Sequence, residues 1–194
     1  MPNFAAQPDR LSPADTALLV VDVQEKLVPK IAEAASLVRN IAFLIDACKV
    51  LNVPVSATEQ YPKGLGPTVG ELAKRLPPNI PDKVAFSSCA VPNVVEGFRR
   101  DGRPKVIVAG IETHVCIMQT VLDLLALNFR VFVPVDAVGS RYRIDHNIAI
   151  ERMRDAGAIL VTSEIAAFEL TGIAGTPQFK EISRLVQQRM KDLT

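Results

Sequence analysis

Asp22, Lys83 and Cys116 lie far apart in the chain, yet a carboxylate, an amine and a thiol are groups that could together attack an acyl carbon. Cys116 ends the segment Val-Ile-Val-Ala-Gly-Ile-Glu-Thr-His-Val-Cys (residues 106–116), where an apolar strand breaks at Gly110 and a helix takes over. A thiol just inside a helix N-terminus lies in a positive field that favours thiolate, the nucleophilic form. Cys116 is therefore expected to be more acidic than a free cysteine, while Cys48, on an apolar helix stripe, is not. Asp22 closes the apolar run 17–21, and Lys83 opens the run Lys-Val-Ala-Phe-Ser. Each residue alone has a plain reading: a turn-capping carboxylate, a solvated lysine, a small buried hydrophobe. Together they form a working set. An Asp beside a thiol can take its proton and later give it to a leaving amine. A lysine near both would stabilise the two anions and hold the carboxylate in place.

The elements that must position these groups alternate along the chain. Apolar or β-branched runs predict strands over residues 17–21, 53–57, 83–86, 105–109, 130–134 and 158–161. Helical spacing predicts helices over 31–51, 71–76, 92–101 (with Pro92 in its first turn), 113–127, 145–156 and 178–191, and one capped by Ser163 and running to about Leu170. Residues 58–70, with Pro62, Gly64, Gly66 and Pro67, read as a loop. Six strands alternating with helices predict an α/β fold, a three-layer α/β/α sandwich around a six-stranded parallel, doubly wound, Rossmann-like sheet. Such sheets bind ligands outside the carboxyl ends of their strands, and Asp22, Thr58, Cys116 and Asp136 all follow strands at that edge. Gly64 and Gly66 do not stand between a strand and a helix, so no phosphate-binding loop is expected.

The 194 residues suit one domain spanning 1–194. A net charge of +1, with no Lys/Arg cluster larger than a pair, argues against nucleic acid as a partner. The 48% hydrophobic content contains no uncharged run near the ~18 residues of a membrane span, so no membrane partner is expected. Residues 1–16 show no basic stretch leading into an apolar one, and three cysteines fit a reducing cytosol, so a cytoplasmic protein is expected. The last helix carries Ile182, Leu185, Val186 and Met190 on one stripe, which must cover either its own core or a partner. Read with the apolar composition, it points to a homo-oligomer, a dimer or larger.

Leu-Val-Val-Asp-Val-Gln (19–24), Lys-Val-Ala-Phe-Ser (83–87) and Gly-Ile-Glu-Thr-His-Val-Cys (110–116) resemble the three signature blocks of the isochorismatase-like cysteine hydrolase superfamily. Thr-Glu-Gln-Tyr-Pro-Lys-Gly-Leu-Gly (58–66) and Asp-Ala-Val-Gly-Ser-Arg (136–141) resemble further blocks of its isochorismatase-domain-containing branch, and the match runs from about residue 16 to 171. The resemblance implies Cys116 as nucleophile, Asp22 as acid–base group and Lys83 as the third member of a catalytic triad. It also implies a non-proline cis peptide at Ile111–Glu112 and an oxyanion hole built from the backbone N–H groups of Glu112 and Cys116. The family's habit of assembling dimers and larger oligomers adds to the expectation of a homo-oligomer.

The departures from the family pattern carry as much as the matches. Metal-dependent nicotinamidases of the superfamily use an Asp and two His after the second strand, but this stretch is Thr58-Glu59-Gln60-Tyr61-Pro62, and the chain holds only His114 and His146. No metal and no cofactor are therefore expected. Members acting on a vinyl ether generally lack the nucleophilic cysteine, so its presence implies C–N hydrolysis of a small amide, ureido or carbamoyl substrate through a thioester. A vinyl-ether hydrolase and a non-catalytic interaction protein on the same fold remain the alternatives.

Secondary candidates surround the triad. Glu59 and Gln60 either line the substrate pocket or hydrogen-bond their own turn. Gln24 either positions its loop or touches substrate. Leu27, Tyr61, Leu65 and Phe86 supply apolar walls, and Thr113 joins the pocket set. Asp136 is a pocket carboxylate or a helix-cap partner, while Ser140 and Arg141 serve loop structure or a subunit contact. Cys89, in the loop after Lys83, is read as packing. His114, facing outward, and His146, on a surface helix, are given no catalytic role.

Overall fold

The computed structural model describes residues 9–191. In chain order its strands are β1 (Thr16–Val21), β2 (Val55–Gln60), β3 (Asp82–Lys83), β4 (Lys105–Ile111), β5 (Arg130–Pro134), β6 (Val138–Gly139) and β7 (Ile159–Val161). The helices are α1 (Ala34–Val50), α2 (Pro62–Leu65), α3 (Gly70–Ala73), α4 (Pro92–Arg100), α5 (Met118–Ala126), α6 (Arg143–Asp155), α7 (Ser163–Thr171) and α8 (Pro177–Lys191).

Every residue of β1 and of β4 is buried. In β1, Leu18 and Val20 enter one apolar cluster, and Ala17, Leu19 and Val21 the other. In β4, Ile107, Ala109 and Ile111 join the first, Val106 and Val108 the second. The first cluster gathers residues of α1, α7 and α8, and the second those of α4, α5 and α6. Strands with helices on both faces have no polar side, which is why these runs read as continuous hydrophobe.

The strands pair in parallel in the order β3-β2-β1-β4-β5-β7, with β6 joined to the end of β4. From β1 the chain steps outward to β2 and β3, then returns to place β4 on the other side. That reversal opens a crevice at the carboxyl ends of β1 and β4, where open α/β sheets place their ligands.

Several boundaries differ from the sequence expectation. β2 begins later because Val53 closes α1 through its N–H to the Cys48 carbonyl, 2.8 Å. It then runs through Glu59 and Gln60, which pair with Asp82 and Lys83. The third strand stops at Lys83 because the chain folds back so that the Ala85 and Phe86 carbonyls meet the Lys83 ammonium. A two-residue β6 carries too little pattern to be legible. The helix expected over 113–127 is a π-helical turn, Thr113–Ile117, followed by α5. Thr162, not Ser163, caps α7, its Oγ1 accepting the Ile165 N–H at 3.1 Å. On α8, Ile182 is fully buried and Leu185 and Val186 pack against the first cluster, leaving Met190 exposed. That stripe covers its own core, so it no longer argues for a partner. Among the described residues no helix is long and apolar enough to cross a membrane.

Candidate active site

At the crevice, β1 ends in Asp22, whose φ of +55° is left-handed. A non-glycine residue in this region costs about 1–3 kcal/mol and is held by its surroundings. The hold is visible: Asp22 N–H donates to the Thr58 carbonyl at 3.0 Å, and Thr58 Oγ1 donates to Asp22 Oδ1 at 2.9 Å. Lys83 Nζ, from β3, donates to Asp22 Oδ2 at 2.6 Å, with neither side chain measurably open to solvent beyond 2%. The ammonium's other protons go to Gln60 Oε1 at 2.8 Å and the Phe86 carbonyl at 2.9 Å.

The Cys116 thiol lies within electrostatic reach of the Asp22 carboxylate, each acting on the other's protonation. The three residues picked from sequence therefore meet, two strands and a turn converging on one buried point. Their electrostatics differ from the expectation. Burial pushes the Cys116 thiol up to about 12, helped by the Asp22 charge and opposed by Lys83. The same burial raises Asp22 above the ordinary carboxylate value, against the pull of Lys83, Cys116 and Thr58. Cys116 is thus not acidified at rest: at 5% exposure, desolvation outweighs the helix field. Cys48, walled by apolar side chains, is also raised to about 12.

Gly110 lets this corner close. Its φ is +129°, and a Cβ there would stand 2.1 Å from the Val21 carbonyl oxygen. After it the Ile111–Glu112 peptide is cis. Glu112, Thr113 and His114 then each bond to the segment entering α6. Glu112 Oε1 accepts Arg141 N–H at 3.1 Å and Arg141 Nε at 3.0 Å. Thr113 Oγ1 meets His146 Nδ1 at 3.0 Å, and His114 Nδ1 meets Ser140 Oγ at 3.0 Å. Both histidines are half-buried braces rather than outward-facing groups, and burial lowers His146 below its ordinary value.

A hydroxyl relay escaped the sequence reading. Thr58 Oγ1 spends its proton on Asp22, so Ser88 Oγ, 3.0 Å away, donates to it. Ser88 N–H donates to Thr120 Oγ1 at 2.9 Å, and Thr120 Oγ1 donates to the Cys116 carbonyl at 2.6 Å. The available signal was Thr120, a polar residue on the buried face of its helix beside Val121 and Leu124.

The pocket candidates divide. Gln24 is fully buried, its amide bonded to Gln60 N–H at 2.8 Å and to the carbonyls of Gln60 and Gly66 at 3.0 and 2.6 Å. It staples two loops and presents no free face to a ligand. Glu59 Oε1 accepts Thr68 N–H and Oγ1 at 2.6 and 2.7 Å, so Glu59 holds its own turn. Gln60 orients Lys83. Thr113 is buried against His146 and has no exposure. Tyr61 and Phe86 stand about half exposed, at 53% and 51%, and Leu27 and Leu65 are half-buried. Asp136 lies away from the triad, accepting Ser163 N–H and Oγ at 2.7 and 2.5 Å and Arg189 Nη2 at 3.0 Å. It is the helix-cap partner. Among the described residues no three His, Cys, Asp or Glu groups are placed to share a metal ion.

The isochorismatase domain model matches residues 16–165, spanning β1 to the start of α7. The chain belongs to the isochorismatase family. It is 42% identical over 194 residues to human isochorismatase domain-containing protein 2, covering 97% of this chain and 92% of the relative. The MAR1 ribonuclease of Caenorhabditis elegans is 42% identical, with a TM-score of 0.87 over 92% of each chain. Escherichia coli YcaC, described as an octameric hydrolase of unknown specificity, is 28% identical, with a TM-score of 0.82 over 95% of this chain and 98% of YcaC.

Proposed function

We propose that this isochorismatase-family chain is a metal-independent cysteine hydrolase that cleaves the C–N bond of a small amide, ureido or carbamoyl compound. The observation that carries the reading is the buried Lys83–Asp22 pair at 2.6 Å, with the buried Cys116 thiol acting on the same carboxylate. Burial that lifts both Asp22 and Cys116 suits a proton that stays on sulfur until substrate arrives. Asp22 then takes it as the sulfur attacks the carbonyl carbon, and the carbonyl oxygen gathers charge between the Glu112 and Cys116 N–H groups. The protonated Asp22 returns the proton to the departing nitrogen, leaving a thioester. Asp22 next deprotonates a water molecule, whose attack on the thioester carbon releases the acid and restores the thiol. Lys83 holds Asp22 in register and balances its charge throughout. Tyr61, Phe86, Leu27 and Leu65 form the apolar rim, and the assembly is a homo-oligomer, as YcaC is described to be.

The test is mass spectrometry of rapidly quenched reactions over a panel of small amides and ureido compounds. An acyl adduct on Cys116 with ammonia or amine release is expected, and Cys116→Ala should bind the same compound without turnover. Turnover by Cys116→Ala at a tenth of the wild-type rate would overturn the mechanism, and pyruvate release would favour vinyl-ether hydrolysis. The name of the Caenorhabditis elegans relative brings a second reading, phosphodiester cleavage of RNA. RNA cleavage that survives in Cys116→Ala and Asp22→Asn would place that activity outside this triad.

A further inference from the structure

The turn that bears Cys116 is π-helical, closed by the wide Ile117 N–H to Glu112 carbonyl bond at 3.2 Å. Such turns interrupt α-helices at functional sites and have poorer internal support than an α-helical turn. The support comes from outside, through the three side-chain ties to Ser140, Arg141 and His146. Two of these ties join a hydroxyl to an imidazole ring. The third joins charges: Glu112, with a side chain 10% exposed, and Arg141, 46% exposed. Both Arg141 donors converge on one oxygen of Glu112.

A largely desolvated carboxylate four residues from a nucleophilic thiol works against that nucleophile. It repels the developing thiolate and any oxyanion formed beside it, and low local polarity strengthens the effect. The other charged groups around the thiol are Asp22, after β1, and Lys83, on β3, already committed to each other. From the α6 side come Arg141, the half-buried His146, and Asp145, 3.8 Å from His114 Nε2. Of these, Arg141 is the fixed cation bonded to Glu112.

We infer that Arg141 is a positioning residue for Cys116, which neutralises Glu112 so that the thiolate can form and pins the nucleophile turn to the start of α6. The inference rests on Cys116 being the working nucleophile, but it concerns the thiol's reactivity and stands apart from the choice of substrate. Burial chiefly raises the Cys116 thiol, Asp22 comes next against the pull of Lys83, and the Glu112 charge adds the smallest push in the same direction.

The experiment needs no substrate. Iodoacetamide alkylation of Cys116 is followed against pH in the full chain, with peptide mapping to separate Cys48 and Cys89. Arg141→Gln should shift the Cys116 profile to higher pH and slow labelling by about tenfold at a given pH, one pKa unit's worth. Adding Glu112→Gln to that variant should return the rate close to wild type, which a merely structural brace would not do. Wild-type labelling in Arg141→Gln, or no recovery in the double variant, overturns the inference. Should Arg141→Gln fail to fold, Glu112→Gln alone decides: it must label faster than wild type, since Arg141 is then left uncompensated, and an unchanged or slower rate refutes the role.

Discussion

Lys83 shows most directly what a buried residue costs and supplies. Its ammonium is removed from water and repaid by Asp22, Gln60 and the Phe86 carbonyl. Removing one partner of a buried pair leaves an uncompensated charge, typically a loss of about 3–5 kcal/mol. Lys83→Met should therefore destabilise the fold by about that amount at neutral pH. With the ammonium gone, the main offset to burial at Asp22 is lost and only Cys116 and Thr58 still oppose it, so its folded-state value rises further above the ordinary 3.8. The folded variant then binds more protons than the unfolded chain. Its remaining stability is fully present below pH 3.8 and is lost as pH rises through the raised folded value. Denaturant midpoints measured at acid and neutral pH check this; an equal loss at both would mean that Asp22 is not what the lysine balances. That Asp22, Lys83 and Cys116 come to one edge of the sheet was legible in the sequence, because each follows or borders a strand. The raised Cys116 value was not, because desolvation depends on how far the whole site is buried, which no local spacing reports.

At the scale of elements, the site depends on how closely β4 can approach β1 where both end. Gly110 and Val21 are register partners, and the strands approach so closely there that a side chain on Gly110 would collide with the Val21 backbone. Gly110→Ala meets both penalties at once, a left-handed φ and a backbone oxygen 2.1 Å from the new methyl. A loss of about 3 kcal/mol or more is expected, at the severe end for a single substitution. Slower Cys116 labelling should accompany it, because the turn following Gly110 carries the thiol. Urea unfolding of the variant checks the first, and a change under 1 kcal/mol (roughly the size of an ordinary surface substitution) would show that the strands can part there without cost. The break at Gly110 was visible in sequence. The fates of Gln24 and Glu59 were not, since their partners, Gly66 and Thr68, lie across a loop whose path follows from no periodicity. Lys83 fell outside the expected pattern for the same reason: it ends its strand because its own ammonium draws the chain back.

For the molecule as a whole, the question is which surface remains to be covered. The α8 helix is spoken for: its stripe lies on the core, and Arg189 fastens it through Asp136 and Asn40 while lying 5.1 Å over the Phe43 ring. One group of exposed apolar side chains lies on α6 and the residue before it, with Tyr142 at 63%, Ile144 at 67% and Ile148 at 47%. Ile144 and Ile148 are one turn apart on one face of α6, and both are exposed. Contiguous exposed apolar side chains of this kind mark an association surface. The chain should therefore sediment at a multiple of its 21.1 kDa mass. Ile148→Asp should lower that mass while leaving the circular dichroism spectrum unchanged, and Met190→Asp, on the already seated α8, should leave the mass alone. Because α6 begins at the segment that braces the turn bearing Cys116, the dissociated Ile148→Asp protein should also label more slowly at Cys116. Sedimentation of the wild type as a monomer across micromolar concentrations would refute the assembly, and an unaltered mass in Ile148→Asp would move the interface off this face.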